Sequence, residues 1–186
     1  MERIRSMVKK FQFDVICLAE PLVKPKTDSI LKMGLPDYDE CFFHNDEVDR
    51  TGNLWILYKR GLQINLVHAS RQQITIEVEG VVMPFVHAHS LMLHRRQLWA
   101  ELVAMKTDLP WLVRRLQNRG PKLLVRKGRE TSMRPAMEEF HNMINDCCLM
   151  QANSWAKLSL GVIIKKFEPA NSVYALTAIP LTMLEP

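Results

Sequence analysis

The sequence predicts an α+β domain with mixed or antiparallel sheets, and three observations carry that reading. Four short runs rich in Val, Ile, Leu and aromatic residues lie close together between 54 and 88, with turn residues between them. Two longer segments, Leu93 to Met105 and Met137 to Met150, repeat apolar residues at helical spacing. A further apolar run, Phe13 to Ala19, stops on the carboxylate of Glu20. Strands gathered around two helices bury their apolar faces as stacked layers.

Taken along the chain, Met1 to Gln12 reads as the end of a basic amphipathic helix, with Ile4, Met7 and Val8 on one face. Phe13 to Ala19 is a strand apolar enough to be buried, and its carboxyl end would present Glu20 at the mouth of a cleft. From Pro21 to Gly52, Pro25, Gly34, Pro36 and scattered Asp and Asn predict loop, with one short edge strand at Cys41 to Phe43. Leu54 to Tyr58, Leu62 to Ala69, Gln73 to Val78 and Val81 to Ala88 then read as a meander, turning tightly at Arg60-Gly61 and Glu79-Gly80. Ile74, Ile76 and Val78 alternate with Thr75 and Glu77, the period of a half-buried antiparallel strand. The helix 93–105 brings Leu98, Leu102 and Met105 to one face beside Trp99, and Pro110 follows its end. Trp111 to Val113 reads as a short buried strand. The second helix turns Met137, Phe140, Met143 and Ile144 inward and is entered at Ser132 or Arg134-Pro135.

With 186 residues and 47% hydrophobic content, the chain is long enough for one ordinary core and too apolar for a disordered protein. No apolar run reaches the roughly 18 residues of a membrane span, and Met1 to Arg5 has no apolar signal core behind it. A soluble, intracellular protein with no membrane partner is expected. Cys17, Cys41, Cys147 and Cys148 include no Cys-x-x-Cys pair, and adjacent cysteines rarely bridge. Reduced thiols, no zinc site and no disulfide-linked partner follow. The net charge of +5 invites a nucleic-acid partner. Seven of the 25 Lys and Arg, however, fall in the acid-free segment 114–129, and without them acids would outnumber bases by two.

Several segments together carry a family resemblance. They are Phe13-Asp14-Val15-Ile16-Cys17-Leu18-Ala19-Glu20-Pro21, Asn53 to Gly61, Phe85-Val86-His87-Ala88-His89-Ser90, Arg95 to Leu102, Leu109-Pro110-Trp111-Leu112-Val113 and Arg134 to Phe140. In this order they resemble the endonuclease/exonuclease/phosphatase (DNase I-like) superfamily, and more narrowly the endonuclease domain of LINE-type non-LTR retrotransposons. The likeness runs over about residues 10–113 and 130–151. It implies a four-layer αββα sandwich and a Mg²⁺-dependent hydrolase that nicks DNA phosphodiester bonds. The family's metal-binding Glu carries over onto Glu20, from which Mg²⁺ would stabilise charge developing on the phosphoryl group. His87 holds the place of a Tyr or other polar group near the scissile phosphate. Arg95 and Arg96 would reach phosphates as charged donors.

The same comparison exposes departures. The family opens with a strand bearing an Asn of the metal site, whereas this sequence starts inside the first helix, so the sandwich is expected to be incomplete at both ends. The family's Gly-Asp-x-Asn, which meets the phosphate and the attacking water, is replaced by Arg115-Leu116-Gln117-Asn118, leaving Asn118 as the one catalytic candidate there. The closing Ser-Asp-His, whose Asp-His pair supplies the general base, has no counterpart, since Cys147 to Pro186 contains neither Asp nor His. One carboxylate is also too few for Mg²⁺, which takes one or two together with substrate oxygens.

These gaps suggest shifted reading frames. Suitable codons for Arg114 to Gln117 read Gly-Asp-Phe in another frame. Those for Trp155 to Lys165 read Gly-Lys-Ala-Phe-Thr-Trp-Cys-Asn-Asn-Gln, close to the segment that follows the second helix in these endonucleases. The expected organisation is a partial domain over 1–151, aberrant at 114–129, and an unrelated, poorly packed tail over 152–186. Two functions follow: a degenerate endonuclease domain that binds Mg²⁺ weakly or not at all and is inactive, or a non-enzymatic module holding nucleic acid by phosphate contacts through 114–129.

Overall fold

The apolar run that ends on Glu20 forms β1 (Phe13–Ala19), and all of it but Asp14 is apolar and buried because both of its faces are covered. In the computed structural model, which describes residues 2–21, 23–38, 42–107, 114–115, 134–149, 162–165 and 179–180, the chain is a mixed α+β protein with two small, mainly antiparallel sheets. The first sheet has the order β2 (Phe42–His44), β3 (Leu54–Tyr58), β1, β8 (Val162–Lys165), and β9 (Ile179–Pro180) pairs in parallel with the end of β1. The second runs β4 (Ile64–Ser70), β5 (Gln73–Val78), β6 (Val81–Val86), β7 (Arg114–Arg115).

Alternation along the strands decides what packs where. Val15, Cys17, Ala19, Leu54 and Ile56 of the first sheet meet Ile74, Ile76, Val78, Met83 and Phe85 of the second in one buried cluster, so the sheets stack face to face. The intervening residues Ile16, Leu18, Trp55 and Leu57 point the other way, onto Ile4 of α1 (Glu2–Phe11) and onto Ile30, Met33, Leu35 and Tyr38 around α2 (Thr27–Leu31). The Tyr38 hydroxyl donates to the carbonyl of Phe13, and burial together with Asp14 and Asp37 pushes its pKa up to about 12. On the far side of the second sheet, Val86 and Ala88 pack with Leu98, Trp99 and Leu102 of α3 (Met92–Ala104) and Met143 of α4 (Arg134–Asp146). Burial pushes the Cys17 thiol well above its ordinary range, as expected of a small apolar side chain between sheets. Among the described residues Cys17, Cys147 and Cys148 are free thiols, and no helix is long and apolar enough to cross a membrane.

Two features differ from the sequence expectation. Leu54 to Tyr58 is no part of the meander: it lies antiparallel to β1, with Cys17 opposite Ile56, and the chain crosses to the other sheet after Tyr58. Its residues lack polar alternation because both faces are covered, whereas β4 is half-exposed. The meander is therefore β4 to β6, closed at Glu79-Gly80 by two left-handed residues (φ 48° and 78°), the twist a two-residue hairpin favours. The segment read as loop also contains α2, whose five residues are too few to show helical periodicity. Its Asp28 and Lys32 pair at 2.7 Å one turn apart. Within the tail, β8 and β9 hydrogen-bond along the edge of β1 opposite β3. The strand expected at Trp111 to Val113 falls outside the described residues.

Candidate functional site

Five chain segments converge at one end of the stacked sheets. Glu20 follows β1, Asn45 follows β2, Asn53 precedes β3, Arg71 and Gln72 turn β4 into β5, and His87 follows β6. Glu20 takes a left-handed backbone conformation (φ 52°), which costs a non-glycine residue roughly 1–2 kcal/mol. Its own N–H is fixed by the carbonyl of Asn53 at 2.8 Å, so the turn out of β1 is anchored to the start of β3.

The side chains form a relay. His87 Nε2 lies 3.0 Å from Glu20 Oε1, and His87 Nδ1 lies 3.0 Å from Asn53 Nδ2. Asn53 Oδ1 accepts from Asn45 Nδ2 at 2.8 Å. Asn45, only 5% exposed, also donates to the carbonyls of Ser70 and Arg71 while its Oδ1 accepts from the N–H groups of Asn53 and Leu54. Every polar atom of that buried amide is thereby satisfied, which is the condition for burying it without a desolvation loss of about 1–3 kcal/mol. Gly52 makes this possible by close approach: a Cβ there would stand 2.6 Å from the N of Asp46 and 2.7 Å from Asn45 Oδ1. Gln72 holds the other side, accepting from the N–H of His89 and donating to the carbonyl of His94, while the N–H of His87 donates to the Gln72 carbonyl.

Of the residues singled out by sequence, Glu20 and His87 are brought into direct contact across 67 positions of chain. Asn118 lies outside the described residues. Arg95 is half-buried on α3, and Arg96 spends its guanidinium on Glu139, with Nε at 2.9 Å and Nη2 at 2.6 Å from the same oxygen, tying α3 to α4. Asn45, Gly52, Asn53 and Gln72 were not foreseen as site residues. The loop signature of Asn and Gly in 45–53 marks a turn, and nothing in it says which strand ends the turn will bridge.

A second polar cluster ties the meander to α3. Glu101 Oε2 accepts from Ser70 Oγ at 2.7 Å and Gln73 Nε2 at 2.8 Å, while Oε1 accepts from Gln97, and His68 Nε2 stands 3.6 Å from Oε2. Ser, His and Glu meet here, yet the Ser70 hydroxyl gives its proton directly to the carboxylate, so no imidazole is placed to activate it as a nucleophile.

Mg²⁺ asks for oxygen donors around an accessible carboxylate. Among the described residues no group of three or more His, Cys, Asp and Glu could hold a metal ion. Glu20 Oε1 already faces the imidazole, and His87 has both ring nitrogens engaged. Among the described residues this end of the sheets brings one carboxylate, that of Glu20, onto the imidazole, fewer oxygen donors than Mg²⁺ takes. No protein-family model matches the chain, and no curated protein matches it.

Proposed function

We propose that this chain is a degenerate DNase I-like endonuclease domain of retrotransposon type, whose ancestral substrate is DNA and whose hydrolytic activity is lost. One observation carries the reading. Two sheets stack with helices against each outer face, and the carboxylate that follows β1 meets the polar side chain that follows β6 at a shared end. That is the arrangement an αββα sandwich of this family would use to gather its site from distant strands, and it supports the fold the sequence resemblance implies. The loss of activity is inferred from the sequence: Gly-Asp-x-Asn is replaced at 115–118 by Arg-Leu-Gln-Asn. Groups that act as a unit lose most of their effect when one is gone. The engagement of Glu20 by His87 adds a physical reason, since metal binding there would have to displace an existing hydrogen bond.

Supercoiled plasmid incubated with the protein and Mg²⁺ or Mn²⁺ tests this. The expected result is no nicking above background, and no difference between the natural chain and Glu20→Ala. Reproducible Mg²⁺-dependent nicking that disappears in Glu20→Ala overturns the loss of activity. DNA affinity that falls steeply with salt would instead favour a phosphate-binding module.

A further inference from the structure

We infer that Asn45 and Asn53 are positioning residues that fix His87 in its Nε2–H tautomer and so dictate that the imidazole donates to Glu20. The inference needs no assumption about ancestry, because every polarity in the relay is set by backbone groups that cannot change theirs. The atom of Asn45 within 3.0 Å of the Asn53 N–H and 2.9 Å of the Leu54 N–H must be an acceptor, hence Oδ1. The other end is therefore Nδ2, in agreement with the carbonyls of Ser70 at 2.9 Å and Arg71 at 3.2 Å, which only accept. The Asn53 atom 2.8 Å from that Nδ2 must then be Oδ1, which turns the Asn53 Nδ2 toward His87. An amide nitrogen only donates, so the ring nitrogen 3.0 Å away, Nδ1, is the unprotonated acceptor. The proton of the neutral ring sits on Nε2, aimed at Glu20 Oε1 at 3.0 Å.

This assignment has a chemical consequence. With Nδ1 occupied by an amide proton and Nε2 already protonated, His87 presents no lone pair to water or substrate and is a donor that orients Glu20. It is also why the imidazole cannot join Glu20 as a metal ligand, since a ligating nitrogen must be unprotonated and free of another donor.

The test is the side-chain nitrogen spectrum of the full-length ¹⁵N-labelled protein above neutral pH, with His87 identified among the six histidines by its loss in His87→Gln. The expected pattern is a protonated, pyrrole-type Nε2 and an unprotonated, pyridine-type Nδ1. A pyrrole-type Nδ1, or averaged signals from rapid tautomer exchange, overturns the inference. Asn53→Asp replaces the donor with an acceptor of the same size, and the ring proton should then move to Nδ1. An unchanged Nδ1 in a folded Asn53→Asp protein contradicts the assignment, and the natural chain's spectrum decides alone where that variant does not fold. Addition of Mn²⁺ should leave the His87 signals unbroadened; selective broadening there sinks the claim that the relay excludes a dication. None of these readouts depends on nicking, so a wrong ancestry and a wrong tautomer are told apart.

Discussion

The space between the two sheets and the polar end that closes it are joined by different physics. Between the sheets, Val15, Cys17, Ala19, Leu54 and Ile56 face Ile74, Ile76, Val78, Met83 and Phe85, all buried, with no polar atom needing a partner. This attraction is non-directional and scales with buried area, at about 25 cal/mol per Å². At the end, Asn45, Asn53, His87 and Glu20 are held by bonds of 2.8 to 3.0 Å whose donors and acceptors must each match. The interior therefore tolerates substitutions that preserve volume, whereas the end tolerates only those that preserve polarity.

The largest expected effect is in the interior. Phe85→Ala should cost about 3–5 kcal/mol of unfolding free energy, read by denaturant titration, because it leaves a cavity where two sheets meet. A cost below about 1 kcal/mol would mean the sheets do not stack on this residue. Gly52→Ala is the corresponding break at the polar end. Its Cβ would strike the Asn45 backbone and side chain, so a loss of more than about 2 kcal/mol is expected although nothing apolar is removed. A neutral Gly52→Ala would mean that the 45–53 loop does not approach as closely as described.

A smaller effect belongs to the outer face of the first sheet, where a polar group is buried among apolar ones. Tyr38 holds its proton to about pH 12 in the folded state against an ordinary value of 10.0. The raised folded-state value means that this contribution is complete below pH 10 and is lost as pH rises toward 12. Stability measured across that window should fall in the natural chain and fall less in Tyr38→Phe. Parallel curves would show that the hydroxyl is not buried against Phe13.

The same contrast explains what could be read from the sequence. The interior is legible because strands reveal themselves by alternation at neighbouring positions: Ile74, Ile76 and Val78 show their inward face in three residues, and Leu98 with Leu102 does the same for α3. Glu20 was legible as the carboxylate ending a buried strand. The relay was not, because the two bonds that hold His87 join residues 34 and 67 positions apart and local patterning carries no such information. Leu54 to Tyr58 misled for a related reason, since a strand covered on both faces looks the same whichever sheet claims it.

The meeting of Glu20 and His87 is the point on which the stacked sheets, the proposed ancestry and the relay all converge. A double-mutant cycle with Glu20→Ala, His87→Ala and the combined variant measures it directly by equilibrium unfolding. The predicted coupling is about 1 kcal/mol or more, in the range for a hydrogen bond to a charged group shielded from bulk water. Single-variant losses that add to within about 0.3 kcal/mol would contradict the account, because they would mean the two strand ends do not touch in solution.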